Sequence, residues 1–279
     1  MSEPKTIVIT GASDGIGAAA ARRLHAEGHR VVVAGRSPAK TEAVAKELGV
    51  EHHVADFARF AEVRDLAAAL DAAHPRIDVL VNNAGGIFGD RAKTEDGFEK
   101  TLQVNHLSPF LLTTVLMDKL LASRASVIQT SSSGARLFGD LRLDDLDHDA
   151  AFTPHKAYGT AKLENILFTR ELHTRFHARG LSAAAFHPGA VATAFATESS
   201  SFFRLVYNNP LGRMAMVSPE KGARQLVWLA TSEPGAEWES GAYYERGKVA
   251  RRVNPQATDD DLARRLWDRS AELVGVKTA

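Results

Sequence analysis

Seven short runs of β-branched and aliphatic residues recur along the chain: 5–10, 30–35, 51–55, 77–81, 125–130, 181–186 and 241–245. Longer amphipathic stretches separate them, at 15–27, 38–48, 59–73, about 95–121, about 154–178 and 219–232. Runs such as VVV and VLV are apolar without alternation, the pattern of strands covered on both faces by helices. Strand and helix in turn predict an α/β fold: one doubly wound parallel sheet of about seven strands, with helices on both faces. The length of 279 residues fits a single Rossmann-type domain over 1–279.

Two stretches break the alternation. Residues 134–153 separate a strand from its helix as an insertion, and 189–218 form a long connection holding Phe195, Phe202 and Phe203. Both follow the C-terminal ends of predicted strands, the edge where open α/β sheets bind ligands, and long loops there are functional more often than idle.

The first predicted strand runs into TGASDGIG at 10–17, and a helix follows. Gly11 permits a tight turn, Gly15 lets backbone approach a pyrophosphate, and Gly17 allows helix to pack closely on strand. Ser13, Asp14 and Ile16 complete the turn, and the helix N-terminus offers free N–H groups to phosphate.

The spacing GxxxGxG resembles the short-chain dehydrogenase/reductase family when joined by NNAG at 82–85, Asn105, Ser132 and the YGTAK segment at 158–162. The resemblance spans roughly residues 5–247. The 26-residue separation of Ser132 from Tyr158, with VNHLSPFLLT at 104–113 and KLENILFTREL at 162–172, is similar to the retinol-dehydrogenase-like branch, which handles lipophilic carbonyls and alcohols.

The resemblance implies a site. Asn83, Ala84 and Gly85 would leave room for the adenosine ribose, and Pro188 and Gly189, with Val191 and Thr193, would flank the nicotinamide amide. Asp56, followed by Phe57, would meet the adenine amino group; its alternative reading is a helix N-cap for 59–73. Gly35 stands where an NAD-preferring member carries an acidic residue, and Arg36 follows. A guanidinium can grip a 2′-phosphate through two hydrogen bonds, so NADP(H) is favoured over NAD(H).

Tyr158 and Lys162, four residues apart, share a helix face. A free tyrosine has a pKa near 10, and a neighbouring ammonium that lowered it by ~3 units would contribute roughly 4 kcal/mol. By resemblance Tyr158 is the proton donor and acceptor, Lys162 also holds the nicotinamide ribose, Ser132 binds the substrate oxygen, and Asn105 anchors a water that links Lys162 to solvent. Ser133 is the alternative to Ser132. The expected activity is NADP(H)-dependent interconversion of an aldehyde or ketone and an alcohol; the alternative is an NADP(H)-binding redox sensor without turnover.

Composition narrows the classes. Lys plus Arg and Asp plus Glu are 34 each, which gives no field for nucleic acid. The absence of cysteine excludes thiol nucleophiles and cysteine metal sites. His173 and His177 sit at i and i+4 without a third ligand, so no metal site is expected. The apolar run 107–116 is far short of the ~20 residues of a membrane span, and MSEPKTIVIT lacks the pattern of an export signal. A cytoplasmic protein without membrane anchor is expected. In many relatives helices 95–121 and 154–178 pair subunits, which makes a homodimer or homotetramer the expected assembly.

Overall fold

The computed structural model describes residues 3–189 and 217–277. Its centre is an eight-stranded sheet in the order β3-β2-β1-β4-β5-β6-β7-β8. The strands are β1 (Thr6–Thr10), β2 (Arg30–Gly35), β3 (Glu51–Val54), β4 (Val79–Asn82), β5 (Ser126–Thr130), β6 (Ser182–His187), β7 (Tyr243–Glu245) and β8 (Lys248–Val249). The first seven run parallel, and β8 returns antiparallel on β7. The expected strands are present; the added one is a two-residue edge behind Gly247, too short to show a period in sequence.

The uniform apolarity of the central strands has its cause in two cores. In β1, Val8 packs into one core while Ile7 and Ile9 pack into the other. In β2, Val32 and Ala34 face the first and Val31 and Val33 the second. Every residue of β1, β4 and β5 is buried.

Helices α1 (Gly15–Ala26), α2 (Pro38–Leu48) and α3 (Phe60–Ala73) lie close to their predicted bounds. The helix expected over 95–121 is a correction. It starts as one turn, α4 (Lys100–Leu102), widens into a π-helical turn over Gln103–Leu107, and continues as α5 (Ser108–Val115) and α6 (Met117–Ala122). Glu99 starts it by accepting hydrogen bonds from Thr101 N and Leu102 N, and Pro109 lacks the amide that would carry a regular ladder through that point.

The 134–153 segment is not loop throughout. It opens with α7 (Gly134–Phe138), which lies on α8 (Pro154–Phe176). Gly159 lets them touch: a Cβ there would come within 2.7 Å of Phe138 Cβ and 2.8 Å of the Gly134 carbonyl oxygen. Asn254 Nδ2 ties α7 down by donating to the Ala135 and Gly139 carbonyls at 2.9 and 2.8 Å. Thr153 caps α8 through Lys156 N, with Pro154 in its first turn.

After α9 (Pro219–Thr231) comes a helix absent from the sequence reading, α10 (Asp260–Val274), capped by Asp259. It packs on α8 and α5 through Trp267, whose ring centre is 4.9 Å from that of Phe110 and 5.6 Å from that of Phe168. Among the described residues no helix is long and apolar enough to cross a membrane.

Candidate active site

Beyond the C-terminal ends of the strands, where the order reverses between β1 and β4, lies a cleft of about 600 Å³. The glycine turn after β1 forms one wall, with Gly11 at φ 64° and Gly15 at φ 55°, conformations that favour glycine. Gly11 approaches the loop after β4 so closely that a Cβ would lie 2.8 Å from Ala84 Cα. Asn83 fixes that approach: its Nδ2 donates to the Thr10 and Gly11 carbonyls at 3.0 and 3.2 Å, and its Oδ1 accepts from Thr130 Oγ1 at 3.2 Å.

Of the residues singled out in sequence, Gly11, Ser13, Asp14, Gly15, Ile16, Arg36, Asp56, Phe57, Asn83, Ala84, Gly85, Ser132, Tyr158, Lys162, Pro188 and Gly189 line this cleft. Gly17 and Asn105 do not. Gly17 packs against the turn, where a Cβ would be 2.4 Å from the Gly11 carbonyl oxygen. Asn105, fully buried in the π-helical turn, lies behind the glycines after β4: its Nδ2 donates to the Gly86 and Thr101 carbonyls, both at 2.9 Å, and its Oδ1 accepts from Gly86 N at 3.2 Å. Val191 and Thr193, with Phe195, Phe202 and Phe203, lie outside the described residues.

Asp56 is not the N-cap of α3. Its Oδ1 accepts from Ala58 N at 2.9 Å, a turn that precedes α3, whose N-cap is Arg59. The residue nonetheless faces the cleft.

The three serines after β5 separate by use. Ser131 Oγ donates to the Lys162 carbonyl at 2.7 Å. Ser133 is the N-cap position of α7, and its N–H donates to His187 Nδ1 at 3.3 Å. Ser132 Oγ accepts from Gly134 N at 3.1 Å and shares the surroundings of Gly134 with the Tyr158 ring: a Cβ on that glycine would lie 3.4 Å from the one and 3.3 Å from the other. Lys162 Nζ donates to the Thr130 carbonyl at 3.0 Å, and burial pushes its pKa down to about 7.

Sequence reasoning missed several wall residues. Lys40, in the first turn of α2, holds Asp14 Oδ2 at 2.9 Å and keeps that carboxyl below its ordinary range. A lysine where the helix dipole favours acids was the available signal for an anion site beside Arg36. Ile87, Phe88, Leu137, Phe138 and His155 form an apolar end beyond Tyr158, with the His155 and Phe138 rings edge to face at 5.4 Å. No motif marks them, and Phe138 meets His155 only when α7 folds onto α8.

The family model described as short chain dehydrogenase matches residues 5–142. A proposed daunorubicin C-13 ketoreductase of Streptomyces sp. (strain C5) is 40% identical, covering 97% of this chain and 93% of that protein. Human retinol dehydrogenase 13 is 38% identical over 98% of this chain and 85% of its own. The chain belongs to the short-chain dehydrogenase family. Within that family it is retinol-dehydrogenase-like, an oxidoreductase of CH–OH groups that uses NAD(P). Among solved structures, an uncharacterized protein of Mycobacterium paratuberculosis superposes with a TM-score of 0.79 at 31% identity, covering 99% of this chain and 95% of that one.

The cleft fits the nucleotide this family uses. A cradle in which a Cβ on Gly11 or Gly17 would collide with backbone, the N-terminus of α1, and the basic pair Arg36 and Lys40 suit a phosphorylated ligand.

Proposed function

We propose that the protein interconverts a lipophilic aldehyde or ketone and its alcohol with NADP(H), and that Tyr158 moves the proton. The observation that carries this reading is the convergence of Ser132 Oγ, the Tyr158 ring and Lys162 Nζ at the seam between a nucleotide-shaped cradle and an apolar end lined by Phe88, Leu137 and Phe138. The nicotinamide, when bound, supplies the hydride for reduction and takes it in oxidation. Ser132 Oγ orients the substrate oxygen and stabilises the charge that develops on it. The Tyr158 hydroxyl donates a proton to that oxygen in reduction and takes one from the alcohol in the reverse direction. Lys162 sets the charge beside the phenol and holds the nicotinamide ribose. Arg36 and Ser37, just after β2, and Lys40 in the first turn of α2 favour the 2′-phosphate.

The relatives' names suggest the panel. NADPH consumption measured with retinal, a homologous series of straight-chain aldehydes and a daunorubicin-type side-chain ketone, in the wild type and Tyr158→Phe, tests the reading. Turnover that rises with apolar surface and disappears in the variant supports it. Equal turnover in the variant defeats it.

A further inference from the structure

Thr130, the last residue of β5, presents its carbonyl oxygen to two donors on α8. Lys162 Nζ lies 3.0 Å away and Asn165 Nδ2 3.4 Å away. Both side chains are 2% exposed and Thr130 is 8% exposed, so protein groups supply most of the hydrogen bonding here. A nucleotide that draws the Lys162 ammonium onto its ribose takes away the nearer donor. A buried carbonyl abandoned in this way costs its full desolvation.

Behind Asn165 stands His106, in the π-helical turn beside Asn105. Its Nε2 is 2.8 Å from Ser270 Oγ on α10. Its Nδ1 and Asn165 Oδ1 are both buried without a close hydrogen-bond partner, and Asn165 is the polar side chain that acts on the ring. Burial pushes the imidazole pKa down to about 3, so the ring is neutral, with one donor and one acceptor nitrogen. With Ser270 Oγ donating to Nε2, the proton is on Nδ1, and Asn165 Oδ1 is a buried acceptor still without a partner of its own. The Asn165 amide stands with its NH₂ toward the Thr130 carbonyl, and a donor on the His106 side would favour that orientation.

We propose that Asn165 is a positioning residue for nucleotide binding: held in orientation by His106 and Ser270, it takes over the Thr130 carbonyl and releases Lys162 to the ribose. The proposal rests on the reading of Lys162 as the ribose-holding group. The long 3.4 Å contact is the resting state of a shared acceptor, and it shortens when Lys162 leaves. The linkage also gives α10, at the far end of the chain, a bearing on the cleft. Were the lysine to keep one of its three donors on Thr130 throughout, Asn165 would be superfluous.

The test is NADPH affinity of the full chain by fluorescence titration, in wild type, Lys162→Met, Asn165→Leu and the double variant, with melting temperature in parallel. Asn165→Leu alone is expected to raise Kd about tenfold, the scale of one unsatisfied buried acceptor. In the Lys162→Met background it should add less than about twofold, because Thr130 then has the same donors with and without nucleotide. Should Asn165→Leu not fold, Ser270→Ala, which touches neither lysine nor carbonyl, is expected to raise Kd several-fold with the same loss of effect beside Lys162→Met. A Kd unchanged in both single variants overturns the proposal, and so does an equal rise in the Lys162→Met background, which would mark Asn165 as packing only. If Lys162→Met itself binds NADPH like the wild type, the ribose reading has failed, and the proposal with it.

Discussion

Lys162 Nζ lies 5.6 Å from the centre of the Tyr158 ring, one helical turn along the same face of α8. The separation puts the lysine over the face of the phenol ring, within cation–π reach. Gly85 completes the arrangement, since a Cβ there would be 3.1 Å from Lys162 Nζ and 2.5 Å from Asn105 Oδ1. Any larger residue would collide with Asn105 and crowd the lysine.

Tyr158→Phe keeps the ring and removes the hydroxyl. We expect kcat to fall by roughly 10² to 10⁴-fold, the usual share of a general acid or base, while NADPH affinity stays within a few fold and the melting temperature is nearly unchanged. Steady-state kinetics and an NADPH titration on the same preparation decide it. A variant that retained more than about a tenth of wild-type turnover would defeat the proton role.

The cofactor prediction rests on the end of β2. A Cβ on Gly35 would lie 2.6 Å from Thr41 Oγ1 and 2.8 Å from Ser13 Cβ, so an acidic residue has no room there without displacing both. With Arg36 and Lys40 facing the cleft, NADPH should bind at least about tenfold tighter than NADH, about 1.4 kcal/mol. Arg36→Ala should erase most of that difference. Lys40→Ala should erase part of it and also release Asp14 from its ion pair, which leaves an uncompensated carboxylate facing the phosphates. Equal wild-type affinities for the two nucleotides would show that this corner reads no phosphate.

How much of this was legible depended on whether a residue acts through sequence-local geometry. The glycine turn, Arg36 and the Tyr158–Lys162 pair depend on spacing along one strand, turn or helix, and spacing is what a sequence displays. Asn105 was found as a motif residue, but its expected water role gave no hint that a π-helical turn buries it behind Gly85 and Gly86. The cleft walls made by Phe88, Leu137, Phe138 and His155 do not show in sequence because their members are up to 67 residues apart, and two of them stand on α7, a five-residue helix with no periodicity to read. The helix α10 was overlooked for another reason: the resemblance ended near residue 247, although Asp259 as cap and the spacing of Ala263, Leu266, Trp267 and Ala271 were there to be read.

That helix yields a stability prediction. Trp267 is 4% exposed among Phe110, Phe168 and Phe176, with the Arg175 guanidinium 4.9 Å from its ring centre. Trp267→Ala should therefore cost about 3–5 kcal/mol in urea unfolding. The same helix takes the face of α8 that carries Phe168 and Phe176, one of the helices expected to pair subunits. Light scattering on the wild type and on Trp267→Ala should show whether uncovering that face changes the assembly. A loss below about 1 kcal/mol would mean that α10 adds little to the fold.

The buried lysine gives a prediction whose sign runs opposite to the usual one for a basic group. Its native pKa, about 7, is below the 10.5 of an exposed lysine because burial penalises the charged form. Between those two values the unfolded chain binds a proton that the native chain does not, so stability contributed by this group rises with pH across that window. Below about pH 7 both states are protonated and the full cost of the buried charge is present. Lys162→Met removes the titration while keeping most of the volume. Its stability advantage over the wild type, from urea unfolding at several pH values, should be largest near pH 6 and shrink by roughly 2–4 kcal/mol by pH 10. Saturating NADPH should oppose the effect in the wild type, because a ribose that accepts from the ammonium raises the lysine's pKa and shifts the window upward. A difference between the two proteins that stays constant from pH 6 to 10 would mean that Lys162 keeps an ordinary pKa, and that the phenol of Tyr158 faces a full ammonium at neutral pH even without nucleotide.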